Sequence, residues 1–173
     1  MKQRLTFKDF FIITRSWSLT MTFVSVSLAT VYMRQSGPVS LTLFILTLLG
    51  AMGFHLGANC LNDYFDLLNK VDTTASPGVV SRPHPVFAYN LKLAELFILG
   101  ITLLSVSSVL GIAFIFWRSP WIGILLLIGL FLAVFYTARP IGLKYVSLGE
   151  IVMFLAFGPL LMEGVYAIQR QGL

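Results

Sequence analysis

Long hydrophobic stretches alternate with polar connectors along the 173 residues of the chain. Each stretch is close to the ~20 apolar residues that an α-helix needs to cross the hydrocarbon core of a bilayer. Helices are expected because lipid offers no hydrogen-bond partner to an open strand edge. We therefore predict five membrane spans, at residues 10–33, 39–61, 89–116, 120–137 and 147–168.

Composition narrows the class of protein. Hydrophobic residues make up 57% of the chain and charged residues 11%, which is unlike a soluble domain. The first stretch contains Arg15 and Trp17 and lacks a small-residue cleavage site, so we expect a retained span and not a signal peptide. The predicted fold is an all-α, polytopic transmembrane helix bundle, one domain over residues 1–173, in contact with the lipid bilayer. The chain has no basic run, so nucleic-acid binding is not expected.

The distribution of basic residues predicts how the bundle lies in the membrane. With five spans, the N-terminus shares a side with the loops at 62–88 and 138–146. That side carries nine basic residues and the other side three, so the positive-inside rule places the N-terminus and both loops in the cytoplasm of a multi-pass cell-membrane protein. The nine are Lys2, Arg4, Lys8, Arg15, Lys70, Arg82, Lys92, Arg139 and Lys144, and the three are Arg34, Arg118 and Arg170.

The stretch NCLNDYFDLLNKVD, residues 59–72, places polar side chains at the cytoplasmic mouth of the second predicted span. On a helix, spacings of three and four residues put them on one face, and ionisable groups there must face a partner, a cavity or an ion. The alternative is that these residues form an ordinary solvated helix end. Carboxylates near a helix C-terminus oppose the helix dipole, which disfavours this alternative. The stripe consists of His55, Asn59, Asn62, Asp63 and Asp66.

The same segment supplies hard oxygen ligands for a divalent metal ion. Asp63, Asp66 and Asp72 offer carboxylates, and Asn59 and Asn62 add amide oxygens. No thiolate or imidazole pair is spaced for zinc. Mg²⁺ prefers oxygen ligands and typically binds through one or two carboxylates together with substrate phosphates. We therefore expect a Mg²⁺ cofactor and a substrate that carries a diphosphate.

A diphosphate also requires positive charge beyond that of the metal ion. The predicted cytoplasmic side offers basic groups and a phenol for this purpose. For each basic residue alone, membrane topology or contact with lipid headgroups is an equally good explanation. Their joint placement beside three aspartates favours a role in diphosphate binding. The candidates are Lys70, Arg82, Arg139, Lys144 and Tyr136.

Two segments resemble a known family. GANCLNDYFDLLNKVDT resembles the first aspartate-rich motif of the UbiA superfamily of intramembrane prenyltransferases. YTARPIGLKYVSLGEIVMFLAFGPLL resembles the loop and following helix of its 1,4-dihydroxy-2-naphthoate polyprenyltransferase branch, and the spacing from Asp66 to Asp72 fits that branch. The early ITRSWSLT resembles the opening segment of the family, with Ser16 where proline is usual, and it adds Arg15 to the expected site.

The resemblance implies a Mg²⁺-dependent enzyme of menaquinone biosynthesis. It would transfer a polyprenyl group from a polyprenyl diphosphate to an aromatic acceptor, 1,4-dihydroxy-2-naphthoate. The implied metal ligands are Asn62, Asp63, Asp66 and Asp72. We expect the diphosphate to contact Asn59, Asn62, Lys70, Arg82, Arg139 and Arg15. The expected catalytic residues are Asp63, Asp66, Tyr136 and Lys144.

The resemblance also implies a larger protein. Members of the family have about nine helices and a second aspartate-rich motif, whereas no aspartate follows Asp72 here. The chain resembles the N-terminal portion of such an enzyme, truncated after the fifth span. We expect it to require a C-terminal half or a complementing subunit.

Two alternatives stay open. One is a UbiA-type enzyme with another acceptor, such as homogentisate or a glycerol phosphate ether. The other is a non-catalytic membrane subunit or a transporter in which the stripe lines a pathway. A transporter is expected to carry its site near the bilayer midplane on broken helices, whereas these aspartates lie at the end of a span.

The two histidines are interpreted separately. We expect His84, in the segment SRPHP, to be a solvated loop histidine, with contact to the diphosphate or the acceptor as the alternative. His55 extends the polar stripe towards the membrane interior. We expect it to be buried and hydrogen-bonded, with contact to the acceptor as the alternative.

The predicted orientation can be tested by labelling. Because Ser76 lies in the loop at 62–88, a Ser76→Cys variant should react with membrane-impermeant thiol reagents only from the cytoplasmic side. Labelling of the parent chain, which contains the single cysteine Cys60, measures the background. Reaction of the variant in intact cells would reverse the orientation.

Overall fold

The computed structural model describes residues 6–170, and this part of the chain is helical with no strand. The prediction of an all-α membrane helix bundle is confirmed. Lys2 and Arg4, which enter the charge count above, lie outside the described residues. The helices are α1 Phe7–Ile13, α2 Leu19–Arg34, α3 Leu41–Leu68, α4 Pro77–Val80, α5 Pro85–Tyr89, α6 Leu93–Trp117, α7 Trp121–Phe135, α8 Gly149–Leu155 and α9 Leu161–Gln169.

Helix α3 lies at the centre of the bundle and packs against α2, α6, α7 and α9. It begins where the Ser40 side chain accepts a hydrogen bond from the Leu43 N–H at 3.3 Å, an N-cap. It continues to Leu68, seven residues beyond the predicted span at 39–61. The aspartates Asp63 and Asp66 are therefore held on a rigid helix.

The closest helix contact is between α3 and α6, which run antiparallel. At their crossing Gly57 lies against Gly100 and Leu104, and a Cβ at Gly57 would lie 2.9 Å from the Gly100 carbonyl oxygen. A Cβ at Gly100 would lie 3.1 Å from that of Cys60. Small residues allow such backbone approach between membrane helices, where close packing drives association.

The first predicted span, 10–33, is broken. Arg15 has a φ of 58° and a ψ of 41°, a left-handed conformation that is uncommon for a residue with a side chain. The chain bends there by 66° between Phe7–Ile13 and Ser16–Arg34. The bend is the structural reason that Arg15 leaves the helix surface and reaches the interior.

By helix length alone, the described residues contain fewer spans than the five predicted. Three helical segments of the described chain are long and apolar enough to cross a membrane, and a fourth is added if the bent pair at Arg15 counts as one span. Helix α7 has 15 residues, or about 22 Å at 1.5 Å per residue, which is less than a ~30 Å core. It nevertheless passes through the bundle, because Ile122 packs with Phe114 and Ile168 at one end and Thr137 meets Asn62 at the other.

The last predicted span, 147–168, corresponds to Gly149–Gln169 with a break in its middle. A π-helical segment, Ala156–Leu160, joins α8 to α9, and Gly158 inside it has non-helical angles. Pro159 follows directly and cannot donate a backbone hydrogen bond, which accounts for the irregular turn.

Polar contacts close the end of the bundle opposite the aspartates. The Gln169 side chain accepts from the Ser40 N–H at 2.9 Å and donates to the Ser40 carbonyl at 3.0 Å. Arg118 donates to the carbonyls of Ile168 and Gln169, and Arg170 donates to those of Met33 and Pro38. These bonds fix the C-terminal end of α9 to the connectors of the neighbouring helices.

The helix crossing yields a stability prediction. Gly57→Ala should lower the thermal unfolding midpoint in detergent, because the added methyl group meets the backbone of α6; such overpacking costs about 1–3 kcal/mol. Gly164→Ala is the matched control, since a Cβ at Gly164 has no atom within 4 Å. Equal midpoints for the two variants would contradict the described crossing.

Candidate active site

A cavity of about 480 Å³ runs along α3 between the helices. Its wall carries charged groups at the end where α3 stops and becomes apolar towards the other end. The charged lining residues are Arg15, Asp63, Asp66, Asp72, Arg82 and Lys144, and the apolar part includes Ala51, Gly111, Phe114, Leu126, Gly129 and Ile168. The polar stripe predicted on α3 therefore faces a cavity and not lipid.

Asp63 is the deepest carboxylate of the charged group and is 1% exposed. Its Oδ1 accepts a hydrogen bond from Arg82 at 2.7 Å and a longer one from Arg15 at 3.4 Å. Arg82 comes from the loop between α4 and α5, and Arg15 comes from the bend between α1 and α2. One buried carboxylate thus joins three separate segments of the chain.

Asp66 lies one turn further along α3 and is also buried. Its Oδ2 accepts from the Lys144 ammonium at 2.6 Å and its Oδ1 accepts from the Tyr145 hydroxyl at 2.7 Å. Both donors lie in the 3₁₀ turn Leu143–Val146, between α7 and α8. Burial raises the pKa of Tyr145 to about 12, so the phenol stays protonated and can donate.

Three further residues fasten the loop after α7 to α3, and the sequence interpretation did not single them out. The Thr137 hydroxyl donates to Asn62 Oδ1 at 2.6 Å. The Asn69 amide donates to the Thr137 carbonyl at 3.1 Å and to the Tyr145 hydroxyl at 3.3 Å. Tyr145 directly follows Lys144 in the quoted loop motif, but neither its position nor the residue type indicated a partner.

Asn59 and His55 tie α3 to the start of α2. The Asn59 amide donates to the Thr14 carbonyl at 3.1 Å and to the Ser18 hydroxyl at 2.9 Å. The His55 ring lies 2.8 Å from the Thr22 hydroxyl and 3.2 Å from that of Ser18. The expectation of a buried, hydrogen-bonded His55 is confirmed. Asn59 lines the cavity, but its amide nitrogen is occupied by contacts that hold the bend at Arg15.

The chain turns back towards the cavity directly after α3. Lys70 adopts a left-handed conformation with a φ of 59°, and its N–H bonds the Leu67 carbonyl at 3.0 Å. The Val71 N–H bonds the Asp66 carbonyl at 2.9 Å, which completes a Schellman motif. This turn places Asp72 beside the cavity while the Lys70 side chain is exposed.

The prediction that His84 is solvated is wrong. His84 is 1% exposed, and its Nδ1 accepts a hydrogen bond from the Val86 N–H at 3.3 Å as the N-cap of α5. Its Nε2 lies 3.5 Å from Asp72 Oδ2. Burial lowers the pKa of His84 and raises that of Asp72. The proline-rich sequence suggested an open loop, but α4 and α5 fold it against the cavity.

The remaining candidates separate into two groups. Tyr136 lines the cavity, as expected, together with Phe54 and Phe157. Lys70 and Arg139 are exposed and do not line it, so the geometry does not support contact between these two side chains and a ligand in the cavity. The backbone of Lys70 instead forms the left-handed turn that ends α3.

The donor set fits Mg²⁺ held jointly with a ligand. Asp63, Asp66 and Asp72 line the same cavity, and the pKa of Asp72 is raised first by burial and then by the negative charges of Asp66 and Asp63. Asp63 Oδ2 is buried and has no hydrogen-bond partner within the described residues. Between residues 6 and 170, no three His, Cys, Asp or Glu side chains are close enough to hold a metal ion by themselves. Mg²⁺ commonly takes one or two carboxylates and completes its shell with phosphate oxygens and water.

Comparison with known proteins agrees with this geometry. The profile of the UbiA prenyltransferase family matches residues 22–172. The 1,4-dihydroxy-2-naphthoate octaprenyltransferase of Bacillus subtilis is 26% identical over 157 residues, 91% of this chain and 50% of the relative. UbiA prenyltransferase domain-containing protein 1 of Dictyostelium discoideum is 29% identical over 167 residues, 90% of this chain and 48% of the relative.

A third relative matches over a shorter part of the chain. The 2-carboxy-1,4-naphthoquinone phytyltransferase of Synechocystis is 31% identical over 130 residues, 74% of this chain and 40% of the relative. The chain spans about half the length of the curated relatives it matches. Because the family profile covers most of its residues, including α3 and the loop that carries Lys144, the chain belongs to the UbiA prenyltransferase family.

Proposed function

We propose that this chain forms the diphosphate-binding part of an enzyme that transfers a polyprenyl group to 1,4-dihydroxy-2-naphthoate in menaquinone biosynthesis. The observation that carries the proposal is a continuous cavity, charged at one end and apolar along the rest. A polyprenyl diphosphate has the same two parts in the same order. The names of two relatives, which specify naphthoate and naphthoquinone substrates, support the choice of acceptor.

The charged end offers three cations for the diphosphate. Arg15, Arg82 and Lys144 line the cavity and approach it from three different segments. Guanidinium groups can grip phosphate oxygens with two donors each, and the ammonium group acts as a mobile point charge. The three cations contact Asp63 and Asp66, and in this proposal they share their hydrogen bonds with an incoming anion.

Asn62, Asp63, Asp66 and Asp72 would hold Mg²⁺ in this site. When bound, the ion would neutralise negative charge on the diphosphate and so make it a better leaving group. Arg15, Arg82 and Lys144 would stabilise the charge that grows on the bridging oxygen as the allylic C–O bond breaks. They can do so effectively because the surrounding cavity is largely apolar.

We propose an alkylation step that balances without a net proton transfer. The C–O bond of the prenyl diphosphate breaks, diphosphate leaves with the bonding electrons, and the ring carbon that carries the carboxylate forms the new C–C bond. The bond from that carbon to the carboxylate then breaks, carbon dioxide leaves, and the electron pair returns to the ring. Phe54, Tyr136 and Phe157 line the cavity, and their ring faces can stabilise the allylic cation until it is attacked.

Two expectations from the sequence belong to this proposal. We place the charged end of the cavity on the cytoplasmic side of the cell membrane, because the basic residues concentrate there. We also propose that transfer requires a C-terminal half or a complementing subunit, because this chain carries one acidic cluster and the reaction gathers charge on two phosphates.

Two arginines provide a test of the binding site. Arg82→Met should weaken binding of inorganic pyrophosphate in the presence of Mg²⁺ by about 10-fold or more, because a hydrogen bond to a charged group contributes ~1.5–3 kcal/mol. Arg139→Met removes the same charge from an exposed position outside the cavity and should leave binding within about 2-fold. Isothermal titration in lipid nanodiscs measures both.

The two variants distinguish the cavity from the general charge of the surface. Equal weakening by both would show that the pyrophosphate is held by surface charge and not by the cavity. No weakening by Arg82→Met would remove Arg82 from the diphosphate site.

The reaction itself is tested with radiolabelled polyprenyl diphosphate and 1,4-dihydroxy-2-naphthoate in membranes. We expect little transfer by the chain alone and transfer when it is joined to the C-terminal half of the Bacillus subtilis relative. Asp63→Asn in the joined protein should reduce transfer by at least ~10²-fold, and chelation of Mg²⁺ should abolish it. Membrane insertion of the variant, followed by extraction, serves as the control.

Each alternative gives a different result. Equal product from the chain alone and from the joined protein would contradict the requirement for a second half. Prenylation of homogentisate but not of the naphthoate would select the alternative acceptor. Full activity of Asp63→Asn would contradict the assignment of the site.

A further inference from the structure

His84 has an unexplained feature in the described structure. It is buried, with a fully covered side chain, and it lies on the loop between α4 and α5 that also carries Arg82. Its Nε2 atom is buried and has no hydrogen-bond partner among the described residues. Burying a polar atom without a partner costs free energy. The groups around Nε2 therefore indicate the function of this side chain.

The contacts of the ring determine where its proton lies. Nδ1 accepts a hydrogen bond from the Val86 N–H, and through this bond His84 is the N-cap of α5. A nitrogen that accepts a hydrogen bond carries no proton, so the neutral ring must carry its proton on Nε2. The N–H of His84 is therefore on the ring atom that lies 3.5 Å from Asp72 Oδ2, just beyond the length of a normal N–H···O bond.

The geometry points to His84 as a positioning residue that orients the Asp72 carboxylate for a divalent cation bound with a diphosphate. This inference rests on the proposed function, because it concerns the same site. Carboxylates that bind metal ions are commonly held by a second hydrogen bond from the protein, and loss of such a partner typically weakens metal binding about 10–100-fold.

The position of Asp72 explains why it needs such a partner. Asp63 and Asp66 lie on α3 and each contacts a cation. Asp72 lies beyond the end of that helix, after the turn at Lys70. Its N–H bonds the Asp66 carbonyl at 3.2 Å, but its carboxylate has no cation partner on α3. A donor on the facing loop restricts the carboxylate to the side of the cavity.

The competing explanation is that His84 only caps α5. Two substitutions separate the roles, because the amide of asparagine superimposes on Nδ1 of histidine and the amide of glutamine superimposes on Nε2. Asparagine is also a favoured N-cap. His84→Asn therefore keeps the cap and loses the donor to Asp72, whereas His84→Gln keeps a donor there and weakens the cap.

The measurement is the thermal unfolding midpoint of the full chain in lipid nanodiscs, titrated with Mg²⁺ at a fixed concentration of inorganic pyrophosphate. We expect His84→Asn to require about 10-fold more Mg²⁺ for half of the stabilising shift. His84→Gln should titrate within about 3-fold of the parent chain, although its midpoint without ligand is lower, since a lost cap costs about 0.5–2 kcal/mol. Ser40→Ala removes the cap of α3 at the opposite end and is the control: it should lower the midpoint without changing the Mg²⁺ titration.

The outcomes separate this inference from the proposed function. If the parent chain shows no shift with Mg²⁺ and pyrophosphate together, both the proposed metal site and this inference fail. If the parent chain titrates and His84→Asn titrates identically, the metal site stands and His84 is only a helix cap. A change in the Mg²⁺ titration of His84→Gln as large as that of His84→Asn would likewise overturn the role of the Nε2 donor.

Discussion

Asp63 is the residue on which the arrangement of the site depends. A carboxylate that is 1% exposed inside a membrane bundle is costly unless opposite charge and hydrogen bonds surround it. Here the guanidinium of Arg82 binds it at 2.7 Å and that of Arg15 at 3.4 Å. To reach it, the first span must bend and the loop after α3 must fold back. The pairing thus explains both the left-handed conformation at Arg15 and the inward position of the loop.

The apolar and polar patterns of the sequence were sufficient to predict the fold class and the centre of the site. Polar residues spaced by three and four positions on an apolar helix form one stripe, and such a stripe is expected to face a cavity. Asn62, Asp63 and Asp66 line the cavity. Arg82, Lys144 and Tyr136 were predicted because they share the cytoplasmic side with the aspartates, and all three line the cavity. The motif resemblance added Arg15, which periodicity alone assigned to the interior of a span.

The differences between prediction and structure have a common physical origin. Tertiary contacts, not local sequence, decide where a loop side chain points, and Lys70 and Arg139, which were predicted to contact the diphosphate, are exposed. His84 was expected in solvent because prolines flank it, but Pro85 begins a short helix that carries the ring inwards. Tyr145, Thr137 and Asn69 form ordinary polar contacts whose partners lie 75 to 79 residues away in sequence. A short sequence pattern cannot indicate contacts between residues so far apart.

The charges of the cavity bear on the metal ion that the proposed function includes. Its lining includes three carboxylates, Asp63, Asp66 and Asp72, and three cations, Arg15, Arg82 and Lys144, so the two sets cancel before any ligand enters. A diphosphate alone would bring several negative charges into this balanced, largely apolar site, where uncompensated charge is expensive. In the proposed function, a divalent cation entering with the diphosphate would offset that charge, and the aspartates would bind it as the cations turn towards the phosphates. The ion pairs between the two sets of side chains would then hold both sets in place for this exchange of partners.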